Sequence, residues 1–144
     1  KLGALVFDNE PRRKVLEVIV HPAVLEEAQR QRDRIGKEDE QAIVLSDIPL
    51  LLEVGMQECF DLILLVYAPP EVQIRRVMKR NKMIREEAEA RLKAQMPIDE
   101  KPKFADLIIR NDGTMRELEK RADEVWQELL AREKKKRLQV TGNR

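Results

Sequence analysis

Two stretches of this sequence are apolar at nearly every position, residues 42–46 (AIVLS) and residues 62–67 (LILLVY). A strand with one wet face alternates apolar and polar side chains. A strand covered on both faces does not, and that situation is typical of a parallel sheet with helices on either side. Residues 107–109 (LII) form a third, shorter run. Helical patterns separate the three. Strands alternating with helices predict an α/β fold built on a parallel sheet flanked by helices.

The helical signals are specific. Asp8 or Asn9 can cap a helix with Pro11 in its first turn, where the missing N–H costs nothing. Val15, Leu16, Ile19 and Val20 then form a stripe. His21-Pro22 is expected to end that helix, because a proline disfavours helical geometry before it and cannot donate to the preceding turn. A second helix is expected from residue 22 or 23 to about residue 34, followed by a polar loop over residues 36–41. Pro69-Pro70 closes the second strand, with helices expected over residues 71–80 and 85–95. Asn111-Asp112-Gly113 reads as a turn. Thr114 and Glu117 form a capping box opening a last helix, whose core face is Met115, Leu118, Ala122, Val125 and Leu129.

Composition narrows the class. The chain has 144 residues, 38% charged and 42% hydrophobic, which suits one soluble, helix-rich domain. A net charge of +1 gives no argument for nucleic acid. No apolar stretch approaches the roughly 20 residues of a membrane span. The single Cys59 excludes an intrachain disulfide and suits a reducing cytoplasm, and no signal-peptide pattern opens the chain. One His and one Cys cannot build a His/Cys metal site. Residues 1–137 are expected to form the domain and residues 138–144 a solvated tail.

Several residues could carry chemistry. Asp47 follows the first expected strand, and ligands of open α/β sheets bind outside the carboxyl ends of strands. It could orient a substrate or a metal-bound water, or only cap a turn. Pro49 turns the chain off the sheet, and Leu50 to Leu52 can pack back as a short helical turn. Glu53 could face a cleft or bulk water. Over residues 73–95, Arg76 and Arg80 are four apart, as are Arg91 and Gln95. A hairpin with arginines on its inner side would offer multi-donor recognition of phosphate oxygens. The alternative is a solvated helix pair in which Glu86, Glu87 and Glu89 balance the bases. His21, the only histidine, fits a polar group at a helix end.

VFDNEPRRKVLEVIVHPAV, VLSDIPLLLEVG, FDLILLVYAPPEVQIRRVMKR and RLKAQMPIDEKPKFADLIIRNDG occur in that order. Together they resemble the dephospho-CoA kinase family over about residues 2–130. DIPLLLE and the HP dipeptide are the most distinctive pieces. The resemblance implies a P-loop kinase fold and transfer of the γ-phosphate of ATP, with Mg2+, to the 3′-hydroxyl of dephospho-CoA. It implies that Arg76 acts in phosphoryl transfer, with Asp47 a second catalytic residue near the magnesium shell. Arg80 and Arg91 would belong to a helical lid over residues 73–95, and Asn111 would lie against the adenine. His21, Pro49 and Leu50 would line the acceptor side, and no protein side chain would ligate the metal directly.

The family begins with a strand, a Gly-rich GKS/T loop and a helix, and no GxxxxGK[ST] occurs in this sequence. The expectation is a domain incomplete at its N-terminus, whose own activity is reduced or absent. Another small-molecule kinase of the same fold, or a non-catalytic fragment, is the alternative. The Gly-rich strand would lie between the runs at 42–46 and 62–67. In its absence those two strands are expected either to pair directly or to drive self-association through an exposed edge.

Overall fold

The computed structural model describes residues 9–141, and the chain divides into two compact units, Lys1–Ser46 and Asp47–Arg144. Asp8, the opening apolar stretch and the last residues of the expected tail lie outside the described residues.

The first unit is dominated by α1, Glu10–Glu38. Asn9 is its cap: the side-chain oxygen accepts from the Arg12 N–H at 3.0 Å, satisfying one of the otherwise orphaned donors of the first turn. The expected break at His21-Pro22 does not occur, because α1 runs straight through Pro22. A proline in a helix removes one hydrogen bond and crowds the carbonyl four residues back, at a cost of about 3 kcal/mol. Good helix formers follow it, and side-chain pairs brace them. Gln29 donates to Asp33 at 2.7 Å, Gln31 donates to Glu27 at 2.9 Å, and Arg30 pairs with Glu27 at 2.9 Å. Residues 42–46 are not a strand, contrary to the expectation from their composition. A strand exists only through a ladder, and among the described residues none includes this segment. Val44 and Leu45 are correspondingly exposed.

The second unit opens with a compact turn. Val54 donates to the Leu50 carbonyl at 3.1 Å, closing one helical turn. Gly55 then adopts φ +69°, the left-handed geometry that suits glycine. The Met56 N–H returns to Leu51 at 3.1 Å and the Gly55 N–H to Leu52 at 3.2 Å. This paired closure is the Schellman helix ending. The expected fold-back of the three leucines is therefore formed, and Gly55 is what ends it.

β1 (Leu64–Tyr67), α2 (Pro70–Asn81), α3 (Arg85–Lys93), β2 (Leu107–Arg110) and α4 (Met115–Thr141) follow, with short 3-10 turns at Gln57–Cys59 and Lys101–Phe104. β1 and β2 are parallel, with Leu64 opposite Leu107 and Tyr67 opposite Arg110. α2 and α3 pack on each other, and α4 packs on β2. The hairpin turns at Lys82, whose φ of 54° ends α2. Thr114 and Glu117 form the expected box: the Thr114 N–H donates to the Glu117 carboxylate at 2.7 Å, and the Glu117 N–H donates to the Thr114 hydroxyl at 3.3 Å.

The fold is thus a parallel sheet flanked by helices, as expected. Its strands are less covered than unbroken apolar runs suggest. Leu107 and Ile109 are buried, while Ile108 and Val66 are 43% and 52% exposed. The described core is small: Ala68, Ile74, Ala88, Leu107 and Ile109. Met115, expected on the core face of α4, is exposed.

Candidate active site

The carboxyl ends of β1 and β2 lie side by side, because parallel strands in register end together. The Asn111 N–H donates to the Tyr67 carbonyl at 2.7 Å and carries the pairing one residue past β2. Gln73, in the first turn of α2, donates its side-chain amide to the Ala68 carbonyl at 2.7 Å. One turn later, Arg76 donates from Nη1 to the Asn111 carbonyl at 2.7 Å. Two residues expected in the site, Arg76 and Asn111, are thereby brought together at the edge where open α/β sheets bind ligands. Arg76 has five N–H donors and gives one to Asn111. The others are uncommitted among the described residues and are available to anionic oxygens.

Charged and aromatic groups surround this point. Arg110 pairs with Asp112 at 2.6 Å and lies over the Tyr67 ring, 5.0 Å from its centroid. Tyr67 donates its hydroxyl to Asp99 at 2.6 Å. The Arg110 hydrogen bond holds the Asp112 carboxyl below the usual range, and the charge of Arg76 adds to the effect. Asp112 pairs in turn hold the Arg110 guanidinium more firmly protonated. The hydrogen bond to Asp99 pushes the Tyr67 phenol up, so it stays a donor at neutral pH. Tyr67, Asp99, Pro102, Ile108 and Arg110 line an open cavity of about 270 Å³.

The other expected residues are more dispersed. Arg80 is exposed and donates to its neighbour Asn81 at 3.0 Å, and Arg91 is exposed on α3. The inner side of the hairpin is not built from Arg76 and Arg80. Arg85 crosses it to Glu71 at 2.6 Å, and Arg75, Met78, Lys79 and Lys82 help line an open groove of about 550 Å³ there. Asp47 is exposed, and Pro49 and Leu50 lie in the turn that follows it. Since residues 42–46 form no strand, Asp47 does not cap a strand end here. His21 is exposed on α1 in the first unit.

Glu53 faces neither a cleft nor bulk water. Its Oε1 pairs with Lys101 at 2.9 Å and accepts from the Met96 N–H at 3.0 Å. Sequence reasoning missed Lys101 and the Tyr67–Arg110 pair. The second had a usable signal: both residues end strands, and the edge rule applied to Asp47 applies to them equally.

Comparison with known proteins places the chain among its relatives. The family model for dephospho-CoA kinase matches residues 1–117. A dephospho-CoA kinase of Syntrophus aciditrophicus is 45% identical over 139 residues, covering 96% of this chain and 58% of that protein. One from Bacillus cereus is 52% identical over 115 residues, covering 80% and 57%. The chain thus spans somewhat over half the length of these curated relatives. Among solved structures, a Thermus thermophilus protein superposes with a TM-score of 0.69 at 38% identity, covering 89% of this chain and 65% of that one. Dephospho-CoA kinase from Campylobacter jejuni gives 0.63 at 34%, covering 89% and 63%.

Proposed function

Because the chain belongs to the dephospho-CoA kinase family, we propose that it supplies the lid and the adenine side of an enzyme that phosphorylates the 3′-hydroxyl of dephospho-CoA from ATP. The observation that carries this reading is the Arg76 hydrogen bond to the Asn111 carbonyl at 2.7 Å. It aims a guanidinium from the first lid helix at the carboxyl ends of two parallel strands. Catalysis of phosphoryl transfer is almost entirely positioning and charge stabilisation. In our reading Arg76 keeps its remaining donors for the migrating phosphoryl group, whose charge spreads over several oxygens.

Arg80, and Arg91 after it, close over the triphosphate as the hairpin moves. Asn111 lies against the adenine. Asp47, with Pro49 and Leu50 in the adjoining turn, orients the acceptor hydroxyl, and we assign His21 to acceptor binding as well. The Mg2+ that the family implies would be carried on the ATP phosphates, where it neutralises charge. Among the described residues no group of three or more His, Cys, Asp or Glu is arranged to hold a metal. The glycine-rich phosphate loop is not in these 144 residues, so the roles proposed here are those of the lid and sheet edge alone. A cytoplasmic setting suits the free Cys59, and among the described residues no helix is long and apolar enough to cross a membrane.

The test is an acceptor comparison with the intact protein, ATP and either dephospho-CoA or simple nucleosides and nucleotides. CoA formation should dominate in kcat/KM. Preferential phosphorylation of another acceptor would assign the lid to a different kinase of this fold.

A further inference from the structure

Glu53 and Lys101 form an ion pair unlike the others among the described residues. Their side chains are 18% and 10% exposed, whereas every other pair has at least one partner more than a third exposed. Glu53 occupies the last turn before Gly55, in the segment that carries Asp47, Pro49 and Leu50. Lys101 opens the 3-10 turn that leads into β2. The Met96 N–H, on the same connection between the lid hairpin and β2, donates to the same carboxylate oxygen at 3.0 Å. One oxygen therefore ties the turn that follows Asp47 to the exit of the lid at two points. The second oxygen of Glu53 is buried without a partner, as is the Gln57 Oε1.

A buried ion pair is a poor device for stability, since desolvating two charges offsets most of their attraction and apolar replacements often do as well. It is a good device for fixing geometry, since pulling either partner away leaves an uncompensated buried charge. We propose that Glu53 and Lys101 are positioning residues that hold the acceptor-side turn in register with the lid. Opening or closing the hairpin is then felt at Asp47. This inference rests on the proposed function for the identity of the acceptor, though not for the latch itself.

The experiment compares wild type with the double variant Glu53→Met/Lys101→Met in the intact protein. Three quantities are read: melting temperature, amide exchange without substrate, and kcat and KM for ATP and for dephospho-CoA. We expect a melting temperature close to wild type. Exchange at Met96 and over residues 48–56 should quicken by about tenfold. The value of kcat/KM for dephospho-CoA should fall by about tenfold to a hundredfold, with a much smaller change in KM for ATP. Glu53→Asp keeps the charge, shortens the reach by one methylene and should move the same readouts in the same direction, so the idea survives a double variant that fails to fold. Unchanged exchange would overturn the latch. Faster exchange with unchanged kinetics would overturn the positioning role. If the enzyme prefers another acceptor, faster exchange together with loss of kcat/KM for that acceptor still supports the latch and revises only the substrate.

Discussion

Glu53 keeps its charge although most of its side chain is out of water. Burial alone would push its carboxyl up. Hydrogen bonds from Lys101, from its own backbone N–H and from Met96, together with the charge of Lys101, outweigh burial and leave it below the ordinary glutamate value. A carboxyl lowered by folding adds stability above its unfolded pKa, about 4.3. That contribution is lost as pH falls through the lower folded value. In Lys101→Met the burial effect is left opposed only by backbone donors. The difference in melting temperature between wild type and Lys101→Met should therefore shrink as pH falls from 7 towards 3. A gap that stays constant would mean the pair does not hold the charge. Little of this was legible in the sequence. Glu53 is visible as a carboxylate after three leucines, but nothing local names a lysine so far along the chain as its partner. Gly55 was the readable half, since a glycine after a short apolar turn is where a left-handed ending belongs.

Elements were read best where the signal is local. The Thr114–Glu117 box was legible because both donors and acceptors lie within four residues. Its carboxylate is held below the usual range by the Thr114 N–H and hydroxyl. Replacing Thr114 by alanine should cost about 1 kcal/mol, seen as a lower urea midpoint with an unchanged slope; an unchanged midpoint would mean that α4 does not need its cap. The helix hairpin and the two paired strands are legible to within a few residues for the same reason. Two elements were misread, each because a non-local influence prevailed. Pro22 reads as a terminator, but the braced sequence after it carries α1 through. Residues 42–46 have the composition of a buried strand, but composition cannot supply the neighbouring strand that a ladder requires. The arginine stripe of α2 was visible, but which side of the hairpin it faces was not. That depends on where β2 ends.

For the whole molecule, family membership was legible because four separated segments keep their order and spacing, which no single motif could have shown. What the residues do together depends on contacts across the second unit, above all the meeting of α2 with the loop after β2. The phosphate cradle of such kinases is made of backbone N–H groups and a lysine in a glycine-rich loop, and these 144 residues contain no such motif. Calorimetry of this chain alone with MgATP should therefore show weak binding or none. Micromolar affinity would mean that the helix hairpin and sheet edge suffice to hold the nucleotide. The most direct test of the central claim is Arg76→Ala in the intact protein, with kcat and ATP affinity measured separately. A contact made mainly in the transition state affects turnover rather than ground-state binding. We predict a loss in kcat of about tenfold to a thousandfold, with ATP affinity changed only a few-fold. A normal kcat, or a loss confined to ATP affinity, would contradict the account and make Arg76 only a brace for the Asn111 loop.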